Sequence, residues 1–137
     1  MVEALQALRG VQWLVALTVV AALADLTRFD NPRQLAAYVG LIPSEYSSGS
    51  ARRHGGITKA GNGRARRALM EAAWTYRFSA KVSAHIQQRI DTLPKPLPDL
   101  GWKAQVRLCK RFRRLVARGK HPNVTVTAIA RERLAFM

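Results

Sequence analysis

Residues 40–63 read GLIPSEYSSGSARRHGGITKAGNG. Glycine and serine recur too densely here for a regular element, and Asn62-Gly63 is a turn signal. The pattern on both sides is helical. Upstream, Asn31-Pro32 makes a helix start, because asparagine caps well and proline fits the first turn. That helix runs through Leu35, Ala36 and Tyr38 and stops at Gly40. Downstream, residues 64–79 place Ala65, Leu69, Ala72, Ala73 and Tyr76 on one face. The stretch is therefore expected to be a loop set between helices.

Working outward, residues 3–9 form a short amphipathic helix broken by Gly10, and residues 11–26 a strongly apolar one. Another helix is expected over 80–92. Leu93 to Pro98 (LPKPLP) reads as a stiff connector, since its prolines cannot continue a helix. Residues 101–118 are helical, with Trp102, Val106, Cys109, Phe112 and Val116 as the buried stripe. On that reading Trp102 and Phe112 belong to the core rather than to a base-stacking platform. Arg107, Arg111, Arg114 and Arg118 form a second stripe. A last helix covers 123–135, although Val124 to Thr127 also suit a strand. The fold class is all-α: one compact helical domain over 1–137, with a helix-hairpin-helix-like start. Residues 1–40 supply hairpin and core helices, 41–63 the Ser/Gly/basic loop, and 64–137 the basic helices.

The 137 residues include 23 basic and 8 acidic side chains, a net charge of +15. The charge is uneven: residues 1–50 are net −1, residues 51–77 net +6 and residues 78–137 net +10. A basic remainder behind a neutral first third suggests a polyanion-binding surface, and nucleic acid is the commonest such partner. One cysteine, Cys109, excludes an internal disulfide. The histidines and Cys109 lack zinc-ligand spacing, so no metal site is expected in this chain. Val11 to Ala24 is too short to span a membrane. It imitates a signal peptide, but Glu3 cancels Arg9 ahead of it, and a core helix hydrophobic nearly all round fits better. A cytoplasmic protein without membrane contact is the expectation.

Two constellations could carry chemistry. In the central stretch, Ser47 and Ser48 precede Arg52, Arg53, Lys59, Asn62, Arg64, Arg66 and Arg67. Glycine-rich backbone can present amides to an anion, and cations beside a serine could stabilise its alkoxide and a phosphoryl transition state. The residues alone are equally those of a flexible turn with phosphate-binding arginines. Beyond it, Lys103, Arg107, Lys110, Arg111, Arg113, Arg114, Arg118 and Lys120 offer a surface that could track a nucleic-acid backbone. The eight acids form no cluster of the kind a two-metal nuclease needs. The turn Leu8-Arg9-Gly10-Val11 resembles a helix-hairpin-helix turn, where glycine amides approach a phosphate closely, but Gln12 stands where the second glycine usually falls.

Taken together, three runs resemble the C-terminal domain of the insertion sequence 110/116/902 family of transposases. They are Leu26 to Pro43 with Ser44-Glu45-Tyr46-Ser47-Ser48-Gly49, then Gly55-Gly56-Ile57-Thr58-Lys59-Ala60-Gly61-Asn62, then Arg66-Arg67-Ala68-Leu69. Trp102 to Leu108 and Val126 to Glu132 are also similar, so the resemblance covers essentially the whole chain. It implies a DNA recombinase that moves its element and uses a structured noncoding guide RNA to choose DNA. It implies a RuvC-like nuclease domain with an acidic tetrad and Mg²⁺, in cis or in trans, and assembly into a homo-oligomer. On this resemblance the chain reads as truncated at its N-terminus and inactive alone. The family's serine, which becomes joined to a DNA phosphate, falls on Ser48, with Ser47 as the alternate. Arg52, Arg53, Lys59, Arg64 and Arg67 would then hold nucleic-acid backbone, joined by Asn62, Arg66, Arg107, Arg111 and Arg114. The other reading is a non-catalytic nucleic-acid-binding remnant of a transposase.

Overall fold

Asn31 caps a helix as its sequence suggests. Its side-chain oxygen accepts from the backbone amides of Arg33 and Gln34, and Pro32 opens the helix. The computed structural model that shows this describes residues 1–48 and 51–137, with the side chains of residues 45–54 outside the description. In chain order the elements are α1 (Val2–Leu5), α2 (Trp13–Leu23), α3 (Pro32–Tyr38), β1 (Pro43–Ser48), β2 (Ala51–Ile57), α4 (Gly63–Ala73), α5 (Ala84–Ile90), α6 (Pro96–Ala117) and α7 (Pro122–Arg133). A 3-10 turn over Trp74–Arg77 extends α4. The domain is helical, and α4 packs against both α2 and α7 while α7 packs against α6. Leu69 of α4, Leu108 of α6 and Ile129 of α7 are fully buried in one hydrophobic cluster. No helix among the described residues is long and apolar enough to cross a membrane.

The central stretch departs from the expected irregular loop. β1 and β2 pair antiparallel, with Glu45 opposite His54, Tyr46 opposite Arg53, Ser47 opposite Arg52 and Ser48 opposite Ala51. The register shifts between the Pro43–Ile57 and Glu45–His54 pairs. Gly55 and Gly56 supply the extra residue there, as glycines often do at bulges. Composition hid the strands because their hydrogen bonds are made across the hairpin rather than along either segment.

Three helical expectations also change. The helix expected over 80–92 covers only 84–90, starting where the Ser83 side chain accepts from the Ile86 amide. The connector LPKPLP is partly helical, since α6 begins at Pro96 and contains Pro98. The first amides of a helix lack intrahelical partners, so prolines in the first turn sacrifice no bond. The buried stripe of α6 is Gly101, Ala104, Gln105, Leu108, Cys109 and Phe112. Cys109 and Phe112 are in the core, but Trp102, Val106 and Val116 are 45%, 46% and 47% exposed. The face has turned because Gly101 lets α6 press on the N-terminal segment, where a Cβ would lie 2.3 Å from the Ala7 carbonyl oxygen.

At the N-terminus, α2 is buried on one side only. Ala16 and Val19 are inside, while Trp13 and Leu14 are 58% and 69% exposed. Gly10, in the turn that resembles a phosphate-binding hairpin, has φ +78°. A Cβ there would meet the Ala72 carbonyl oxygen at 2.5 Å and the Thr75 hydroxyl at 2.7 Å. Close packing against α4 and the turn after it is what this position requires of glycine.

Candidate nucleic-acid interface

The hairpin stands on a locked base. The Thr58 amide donates to the Ile42 carbonyl at 3.0 Å and the Lys59 amide to the Gly40 carbonyl at 3.1 Å. The Ser44 hydroxyl donates to the Gly56 carbonyl at 2.8 Å. Arg66, reaching back from α4, donates from one Nη1 to the Val39 carbonyl at 3.2 Å and the Ala60 carbonyl at 3.0 Å. That single guanidinium ties the end of α3 to the strand exit. Beside the hairpin, a cavity of about 360 Å³ is lined by Pro43, Gly56 and Ile57 on one wall and Asn123, Val124 and Arg131 of α7 on the other.

The residues expected to bind nucleic acid divide by what they touch. Ser47, Ser48, Arg52 and Arg53 have strand positions, but their side chains lie outside the described residues. Lys59 and Arg64 are exposed beside the hairpin base. Asn62 is engaged as the cap of α4, its side-chain oxygen accepting from the Arg64 and Ala65 amides at 2.9 and 3.1 Å. Arg67 pairs with Glu71 at 2.8 Å, which raises the guanidinium pKa through that hydrogen bond and the carboxylate's charge. Arg107 and Arg111 of α6 both pair with Glu132 of α7, Arg111 at 2.5 Å. Arg114 is exposed, with no ion pair among the described residues.

Glu132 is the residue that sequence reasoning missed. It is the sole acid among residues 100–137, and a half-turn pattern on one helix does not reveal an arginine pair on another. Its side chain is only 12% exposed, so the pair is screened less than surface pairs are. Replacing it, as Glu132→Gln, is expected to cost about 1–2 kcal/mol of stability, because two arginines lose a charged acceptor. It also releases them toward solvent, so DNA affinity at low salt should rise. Urea denaturation and a salt titration of binding measure the two effects; unchanged stability would show the clamp to be energetically idle.

Among the described residues, no three His, Cys, Asp or Glu side chains stand close enough to hold a metal ion.

The sequence model of the transposase IS116/IS110/IS902 family matches residues 2–88. A Sinorhizobium fredii protein named as a transposase is 46% identical over 134 residues, covering 98% of this chain and 34% of its own length. The transposase for insertion sequence element IS1111A of Coxiella burnetii is 39% identical over 71 residues, 52% of this chain and 20% of its own. The chain thus spans about a third or less of the curated relatives it matches. With a helical domain, a basic surface and these matches together, the chain belongs to the IS116/IS110/IS902 family of transposases.

Proposed function

We propose that this chain is the DNA-engaging, strand-joining part of a transposase, with Ser48 as nucleophile and Ser47 as the alternate. The observation that carries the reading is the hairpin, whose first strand ends on Ser47 and Ser48 and whose base is locked to α3 and α4. A nucleophile on a braced hairpin keeps its position relative to bound DNA, and held geometry lowers the barrier to in-line attack. In the step, the serine oxygen forms a bond to phosphorus and one phosphodiester P–O bond breaks. The hydroxyl proton leaves to a base, and the departing strand oxygen takes up a proton. A seryl phosphodiester remains, which a strand hydroxyl can attack in reverse without another energy source. Lys59 and Arg64 at the hairpin base would neutralise adjacent phosphates.

A RuvC-like nuclease domain in cis or trans, a structured guide RNA and assembly into an oligomer belong to the same reading. The converging carboxylates and their Mg²⁺ would come from that domain, and no step is routed here through the ion. Mixing this chain with such a domain, guide RNA and DNA should give a protein–DNA adduct that survives SDS. Ser48→Ala should abolish the adduct, while an adduct retained by the alanine variant overturns the assignment.

The charge of α6 favours a second reading, a non-catalytic binding module. It predicts salt-sensitive DNA binding that is indifferent to Ser48→Ala and no adduct from either protein.

A further inference from the structure

The outward side of α6 joins exposed apolar surface to unopposed charge. Trp102 and Val106 are nearly half exposed. Steps of three and four residues return to one face of a helix, so Trp102, Val106, Lys110 and Arg113 form a row. At 1.5 Å per residue the row is about 16 Å long. Lys103 and Arg114 flank it, and all six residues are exposed. Among the described residues no carboxylate pairs with any of the four cations.

The segment before α5 packs on the buried side of the same helix. Trp74 packs on Phe112 with ring centroids 6.4 Å apart, and the Lys81 amide donates to the Gln105 side-chain oxygen at 3.1 Å. Residues 74–81 therefore run antiparallel along α6. They expose Phe78, 54% accessible, with the Arg77 guanidinium 4.4 Å from its ring centroid.

Cations interleaved with an open indole face suit one kind of partner. Phosphates need the cations, and a base released from pairing can stack on the ring. A duplex keeps its base faces inside the stack and would leave Trp102 without a role. A second copy of this chain would bring a further net charge of +15 against the same row, which repels.

We infer that the Trp102–Arg113 ridge of α6 binds an unpaired DNA strand, one base stacking on Trp102 and phosphates resting on Lys103, Lys110 and Arg113. The inference rests on the DNA-engaging reading above but assigns a surface separate from the hairpin.

The test uses the 137-residue chain, a short fluorescein-labelled thymidine strand and a hairpin duplex of equal length. Stacking of one base corresponds to a loss of about 5- to 150-fold in strand affinity for Trp102→Ala. Duplex affinity should stay within about twofold, since it rests on phosphate contacts. Trp102→Phe should keep most of the strand binding, and far-UV circular dichroism should be the same for all three proteins. Equal loss on strand and duplex overturns the stacking role, as does no loss on either. Both of those results leave the DNA-engaging reading standing. Tighter, Trp102-dependent binding of a uridine strand overturns the assignment to DNA. Absence of salt-sensitive binding to any of these probes defeats the underlying reading and this one with it.

Discussion

Gly61→Ala is expected to cost about 3–5 kcal/mol, a large share of the ~5–15 kcal/mol that stabilises a domain of this size. Two effects add. Gly61 has φ +73°, a conformation that costs a residue with a Cβ about 1–2 kcal/mol. The new methyl would also lie 1.9 Å from the Tyr38 carbonyl oxygen, so backbone must move. That backbone is not free to yield, because the adjoining Val39 and Ala60 carbonyls are both bound by Arg66. The end of α3 and the strand exit would separate, and the hairpin would lose its base. Gly119→Ala supplies the control. Its φ is +76°, but a Cβ there meets nothing within 4 Å. It should lose only the conformational cost, about 1 kcal/mol. Urea midpoints compare the two; equal losses would mean that the Gly61 contact relaxes without consequence. Because Ser47 and Ser48 stand on this base, Gly61→Ala should also remove any serine-dependent adduct.

What the sequence made legible follows from the range of the interactions involved. The Asn31 cap was readable because the capping oxygen and the amides it serves are two and three residues apart. The inner face of α4 was readable because Ala65, Leu69, Ala72 and Ala73 recur at helical spacing, and all four are buried. The hairpin was not, because Ser47 meets Arg52 only after the chain has turned back, and Gly55-Gly56 interrupts any alternation. The burial of α6 was misjudged for a related reason. Periodicity shows that a helix has an apolar face, but Trp102 and Leu108 lie on different sides of a helix whose neighbours chose Leu108. The expectation for Ser47 and Ser48 came from the resemblance alone, whereas the lock at the hairpin base, Arg66 across Val39 and Ala60, is visible only in three dimensions.

Arg133→Met is expected to leave stability unchanged or raise it by up to about 2 kcal/mol, although it removes the largest fully buried side chain among the described residues. Arg133 has no exposed surface, and burial pushes its pKa down against the opposing influence of Tyr76. Nη2 donates to the Leu69 carbonyl at 3.0 Å, but among the described residues Nε, Nη1 and the Tyr76 hydroxyl make no well-formed hydrogen bond, although the Tyr76 side chain lies beside the guanidinium. A buried cation without a carboxylate recovers little of what it lost on leaving water. Methionine keeps much of the volume and removes the charge. Arg133→Ala removes both, and the cavity should cost about 2–5 kcal/mol. The sign difference between the two variants separates packing from electrostatics. A loss above about 2 kcal/mol in Arg133→Met would show instead that the guanidinium is a net stabiliser. Tyr76 extends the comparison to pH. Burial raises its phenol above the ordinary value of 10.0, with Arg133 opposing. A raised folded-state pKa contributes stability below the unfolded value and loses it as pH rises through the folded one. Wild-type protein should therefore lose stability above about pH 10. Tyr76→Phe, which cannot ionise, should show a flatter profile across the same interval. The same alkaline slope in both proteins would place the titration elsewhere in the chain.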